Sequence, residues 1–169
     1  VNLIDLKEIE KVKDQTIIKE IYYKSTNKNN DVFVIKADQG EIDFNDANVM
    51  HLLNVFGNIK MQNGDEINIT SKFADFNRKS FETKFFQNIK IVMDNKKIFG
   101  DSLYVVFDLL EDDKLKNPDK LENRAILTGN ITIKRANYTL NADVIEIDLI
   151  TKNSKVYMLD KKKVSIKNK

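Results

Sequence analysis

Apolar and polar residues alternate along most of this 169-residue chain. Ile59-Lys60-Met61, Glu66-Ile67-Asn68-Ile69, Asn88-Ile89-Lys90-Ile91 and Asn130-Ile131-Thr132-Ile133 each put apolar side chains on one face and polar ones on the other. A period of two is the pattern of strands buried on one side only, as in antiparallel sheets. Asn63-Gly64-Asp65 and Asp94-Asn95-Lys96 break the pattern with turn-forming residues. Strand-length segments run from about Thr16 to the C-terminus, and about a dozen are expected. Residues 3–21 could begin as a short helix, and 110–121, with Glu111-Asp112-Asp113 and Asn117-Pro118-Asp119, reads as a loop-like insertion. Residues 1–169 are expected to form a single domain.

The strands belong to a repeat. Asn58-Ile59, Asn88-Ile89 and Asn130-Ile131 are each preceded, three residues before the Asn, by Val55, Phe85 or Leu127. Each is followed by a small residue, Ser71, Gly100 or Ala142, with Ile69, Ile98 or Leu140 two positions earlier and Phe76, Val105 or Ile147 five later. Ala37, flanked by Ile35 and Ile42, opens the same pattern one unit upstream. A small residue recurring between alternating strands marks a corner, where the chain folds over with little room for a side chain. The expected fold is all-β: a folded-over antiparallel β-jelly-roll of repeated strand–turn–strand units, whose apolar faces are buried only when units stack.

Little in the chain supports enzyme chemistry. Without cysteine there is no thiolate nucleophile, disulfide or cysteine-held metal. His51 is the only histidine, set between Met50 and Leu52, and is expected on the outer face of a strand. Ser71, Ser80 and Ser102 lack a nucleophile-elbow context, and Phe56-Gly57-Asn58 is no phosphate loop. Glu111-Asp112-Asp113 lacks the ligand spacing of a calcium loop. Glu41/Asp43 and Glu146/Asp148 share a face pairwise, at repeated positions that suit an outer polar surface better than a glycosidase couple. No cofactor is expected.

The charges, 28 basic against 26 acidic, are interleaved and argue against nucleic acid as a partner. Lys161-Lys162-Lys163, Lys167 and Lys169, alternating with Val164 and Ile166, suit an edge strand protected by lysine, or contact with anionic headgroups. What remains is the apolar stripe: Ile59, Met61, Ile67, Ile69, Phe73, Phe81, Phe85, Ile89, Ile91, Ile98, Val105, Phe107, Ile131 and Ile133 take inward positions, with Ile35 in the opening unit. Periodicity alone allows either a packed sandwich core or a splayed groove for acyl chains.

Residues 33–43 (FVIKADQGEID), 55–59 (VFGNI), 67–71 (INITS), 73–77 (FADFN) and 97–103 (KIFGDSL) together resemble LptC of Gram-negative bacteria, in the LptA/OstA-like group. That family shows an A-x-x-G-x-I opening, a G-x-I/V strand, a T-S/A…Y/F-D unit and a G-x-x-L unit. Here Phe76-Asn77 stands where Tyr-Asp is commoner, and the resemblance covers residues 20–107. It implies a periplasmic jelly-roll anchored to the inner membrane by an N-terminal helix that this chain, starting at Val1, does not contain. The implied role is lipopolysaccharide transport: the domain takes lipid from the LptB2FG ABC transporter and passes it to LptA, which adds its sheet to an open edge strand. The inward residues then become an acyl-lined, lipid-binding interior, with Gly100 in the G-x-x-L unit. A typical LptC ends soon after that unit, whereas this chain continues to Lys169, as LptA-like repeats do. A soluble LptA-like bridge and a structural β-repeat with a packed core are the alternatives.

Overall fold

The computed structural model describes residues 17–107 and 123–158 and the backbone of one further strand at 165–168. Ten strands follow one another: β1 (Ile17–Thr26), β2 (Val32–Ile42), β3 (Val49–Lys60), β4 (Glu66–Asn77), β5 (Thr83–Met93), β6 (Lys96–Val106), β7 (Arg124–Lys134), β8 (Tyr138–Asp148), β9 (Ser154–Tyr157) and β10 (Ser165–Asn168). They form one antiparallel sheet in the order β1 to β8, with β9 and β10 both on the far edge of β8. The described residues thus hold ten strands instead of the expected dozen, and 17–21 are strand throughout. The helical start expected before residue 17, the 110–121 insertion and Lys161-Lys162-Lys163 lie outside the described residues.

The expected turns are present. Met61 donates its N–H to Asp65 O at 2.8 Å around Gly64, whose φ is +96°. Asp94 and Asn95 both take left-handed φ, 45° and 64°, as a two-residue hairpin requires.

Each long strand then does something a flat sheet does not. The inward positions run Ala37 then Gly40 in β2, Leu52 then Val55 in β3, Ser71 then Ala74 in β4, Gly100 then Leu103 in β6, and Ala142 then Ile145 in β8. An inward spacing of three, where a strand allows only two, means that the alternation slips one position. In β5 and β7 the gap is four, from Phe85 to Ile89 and from Leu127 to Ile131, and the ladders to both neighbours shift register there. These slips line up across the sheet. The odd-numbered strands turn through left-handed residues at this row: Glu20 (φ 58°), Asn54 (54°), Gln87 and Asn88 (62° and 56°), Gly129 and Asn130 (83° and 48°). Bulges of this kind bend a strand.

The bend folds the sheet into two facing layers. One contains residues 32–37, 55–60, 66–71, 89–93, 96–100, 131–134 and 138–142; the other contains 39–42, 49–53, 73–77, 83–86, 102–106, 124–128 and 144–148. Ring contacts across the interior fix this arrangement. Phe33 in β2 lies 5.4 Å from Phe107, just after β6. Four strands along a flat sheet would separate them by about 19 Å. Tyr23 in β1 lies 5.1 Å from Phe76 in β4. β10 extends the first layer beside 138–141 and β9 the second beside 144–147. The chain is a folded-over antiparallel sheet of β-jelly-roll type.

The repeat identified in the sequence is real but shifted. Its small residues sit one position before the bend, each opposite the residue that follows a left-handed one: Ala37 and Ser71 face Val55, Gly100 faces Ile89, Ala142 faces Ile131. A Cβ on Gly100 would come within 2.7 Å of Leu127 Cδ1. The Asn alignment fails in its first unit. Asn58 belongs to regular ladder, bonded to Asn68 Oδ1 at 2.7 Å, and Asn54 is the true counterpart of Asn88 and Asn130.

Gly129 concentrates the strain of the bend, since an added Cβ would meet Asp101 Oδ2 at 2.5 Å at a φ of +83°. Gly129→Ala is therefore expected to lower unfolding free energy by about 1–3 kcal/mol. Adding Asp101→Ala should recover the steric part; equal urea midpoints for wild type and Gly129→Ala would contradict this.

Candidate functional site

Thirteen of the sixteen residues assigned to the interior expose 5% or less of their surface. Ile35, Ile59, Met61, Ile67, Ile69, Ile89, Ile91, Ile98, Ile131 and Ile133 line the first layer, and Phe85, Val105 and Phe107 lie on the second-layer side. Phe81 joins them from the β4–β5 connection, its ring 5.0 Å from Phe76 and 6.4 Å from Phe33. Gly100 is half-buried under Leu127. Phe73 is not inward: it follows the slip at Lys72, so Ala74 and Phe76 take the interior. Its ring lies 5.6 Å from Phe86 on the outer face, beneath the Lys72 ammonium.

Alternation in the sequence marks the inward residues of the first layer well and those of the second in part. Met50, Leu52, Ala74, Phe76, Leu103, Leu127, Ile145 and Ile147 complete the second wall, and Phe33, Val55 and Ile21 the first. The two walls touch. Gly57 approaches Phe85 so closely that a Cβ would be 3.1 Å from its Cζ. The Tyr23 hydroxyl donates to Met50 Sδ at 3.6 Å. Two buried hydroxyls turn back to their own backbone, Ser71 to Phe73 O (2.8 Å) and Thr83 to Phe81 O (3.1 Å), so neither breaks the apolar character of the interior.

One rim of the fold carries a charged latch. Asp31, at the β1–β2 turn of the first layer, accepts from Lys152 Nζ at 3.1 Å, and Lys152 sits in the β8–β9 turn of the second. Lys152 also donates to Leu149 O at 2.6 Å. The other Asp31 oxygen accepts the Gln62 N–H at 3.0 Å, and Asn27 bonds both its backbone and its carboxylate. Burial pushes the Asp31 carboxyl up, but the Gln62 amide, Lys152 and Asn27 outweigh it and hold it below the ordinary carboxylate value.

His51 stands on the outer face as expected, between two carboxylates: Nδ1 is 2.7 Å from Asp75 Oδ1 and Nε2 2.8 Å from Asp43 Oδ1. Asp43 also accepts the N–H groups of Asn45 and Asp46, so the histidine fastens the β2–β3 turn to β4. The bonds to Asp75 and Asp43 raise the imidazole above its ordinary value of 6.5, and the same bond with His51 lowers Asp43 below 3.8. The sequence did not reveal this cluster, because only the register His51↔Asp75 unites residues 24 positions apart. Of the other candidate pairs, Glu146 and Asp148 both face Arg124 Nη1, at 3.7 and 3.3 Å. Ser80 Oγ accepts the Glu82 N–H in a turn. No group of three or more metal-ligating side chains converges among the described residues.

No protein-family model matches the chain, and no curated protein sequence matches it.

Both surface features are testable. The raised His51 pKa stabilises the fold fully below 6.5 and ceases to do so as pH rises through the folded value; the lowered Asp43 pKa stabilises it above 3.8 and fails as pH falls through its folded value. Urea midpoints should therefore hold between these two reference values and fall on either side of them, and the alkaline part of that fall should vanish in His51→Gln. Lys152→Met strands the carboxylate of Asp31 and should cost about 2 kcal/mol, with partial recovery in the double variant carrying Asp31→Asn. Additive losses in the double variant would show that the two groups act separately.

Proposed function

We propose that this chain is a non-enzymatic carrier that takes lipid acyl chains between the two layers of its folded sheet. The carrying observation is the interior itself: two facing walls of Ile, Phe, Leu, Met and Val, continuous across β2 to β8, joined along a single bend. All the ladders run between neighbouring strands within a layer, so parting the layers at the latched rim costs side-chain packing and no sheet hydrogen bonds. Acyl methylenes entering there replace side-chain contacts while avoiding water, at about 0.8 kcal/mol for each CH₂ kept buried.

Taken with the resemblance of residues 20–107 to LptC, the cargo is lipopolysaccharide. The setting is then the periplasm, with lipid arriving from an ABC transporter of the LptB2FG kind and leaving to an LptA-like protein added at a sheet edge. The LptA-like soluble bridge differs from this only in its anchor. A second reading, a structural β-repeat module with a permanently packed core, is favoured by the near-complete burial of the interior residues.

Photo-crosslinking in cells separates the two. A benzophenone side chain at Ile91 or Phe107 should form an adduct that reacts with anti-lipopolysaccharide antibody, and one at outward Lys60 should not. Folded, expressed protein with no lipid adduct at either interior position would establish the packed-core module.

A further inference from the structure

On the outer face of the first layer, β5, β6 and β7 form a cleft lined by Lys90, Asn95, Lys97, Phe99, Lys134 and Arg135 with Ala136. Four of these are cations, in a chain whose net charge is only +2. Among the described residues, none of the four makes an ion pair and none that lines the cleft is a carboxylate. Three cations outside the cleft do have carboxylate partners: Arg124 between Glu146 and Asp148, Lys152 on Asp31, and Lys60 beside Glu66.

The ladder makes the imbalance sharper. Lys97 and Lys134 are direct cross-strand partners, and like charges placed opposite each other destabilise a sheet. One strand further, Lys90 faces Phe99. The Lys134 ammonium lies 5.4 Å over the Phe99 ring, and the Arg135 guanidinium 5.9 Å over Tyr138, so aromatic faces hold both cations in place without neutralising them. Arg135 Nε is buried and has no hydrogen-bond partner. A buried donor left unsatisfied beside three unpaired ammonium groups is costly for folding. An anion in the cleft removes the like-charge cost of the Lys97–Lys134 pair.

We infer that this cleft is a binding site for a phosphate-type anion, a phosphomonoester or pyrophosphate group, held by Lys90, Lys97, Lys134 and Arg135. Multiply charged, several-oxygen anions suit it because they accept from ammonium and guanidinium donors at once. Phe99 at the floor and the exposed Val92 beside Lys97 give the cleft an apolar margin, which accommodates such a group attached to a lipid as well as a free one. The site lies on the opposite side of the first layer from the apolar interior, so it stands whether or not that interior admits acyl chains.

The test titrates the full chain with sodium pyrophosphate and, separately, with phosphatidylcholine vesicles containing or lacking phosphatidic acid. Saturable pyrophosphate binding with amide shifts centred on Lys90, Lys97 and Lys134 identifies a free anion as sufficient; binding only to vesicles with phosphatidic acid identifies a lipid-borne phosphate. Lys134→Gln and Lys97→Gln should each weaken binding about ten-fold, whereas Lys60→Gln, on the far side of the sheet order beside Glu66, should not. Without anion at low salt, Lys134→Gln should melt above wild type, because it removes the like-charge pair. Pyrophosphate should then raise wild-type melting, and about ten-fold more of it should be needed for the same rise in the variant. The proposal is overturned if neither ligand binds, if Lys60→Gln weakens binding equally, or if an oligonucleotide binds this cleft more tightly than pyrophosphate.

Discussion

Everything in this fold depends on one row of backbone geometry. At the same level in each long strand the alternation slips, and the odd-numbered strands pass through left-handed residues to make the turn. Left-handed backbone costs an L-residue about 1–2 kcal/mol, a cost that Asn and Gly reduce. Four of the six such positions at the row are Asn or Gly: Asn54, Asn88, Gly129 and Asn130. Two short hydrogen bonds reinforce it, Asn54 to Asp38 and Asn130 to Asp101, both at 2.8 Å. Without the slip, the second halves of β2, β3, β4, β6 and β8 would turn their apolar residues to solvent. With it, both halves face inward and one sheet encloses its own core.

The consequence for function is an interior bounded by two walls but hinged along one line. The rim opposite the bend is closed by contacts of another kind: the Asp31–Lys152 pair and the aromatic packing of Tyr23, Phe33, Phe76, Phe81 and Phe107. Side-chain contacts of this sort separate and reform without disturbing the ladders. The carrier reading rests on that difference in strength between the bend and the rim. The cationic cleft over β5–β7 is a separate feature of the outer face.

Strand periodicity and turns were legible because both are local. Ile59, Ile67, Ile89 and Ile131 fell inward as alternation requires, and Asn63-Gly64 and Asp94-Asn95 turned the chain where their φ preferences dictate. The direction of a side chain beyond the bend was less legible. Counting alternation through Lys72 puts Phe73 inward, but the count slips there. The signal existed: Ser71 to Phe76, Gly100 to Val105 and Ala142 to Ile147 are each five apart, an odd spacing that cannot join two inward residues of an unbroken strand. Asn58 misled the repeat because β3 bends through one residue where β5 and β7 use two. The latch and the His51 cluster were invisible, since they join residues 121 and 24 positions apart through a register no local pattern carries.

The central claim is that the two layers part at the rim when the interior takes up an acyl chain. The chain has no cysteine of its own, so spin labels can be placed at will. Asn63 and Thr151, both exposed, sit in the turns that approach each other across the Asp31–Lys152 rim. Labels at Asn63→Cys and Thr151→Cys should give a short, narrow distance distribution in the free protein. Adding lipopolysaccharide should lengthen and broaden it. A distribution unchanged by saturating lipid would contradict the claim and leave a β-jelly-roll that is closed for good.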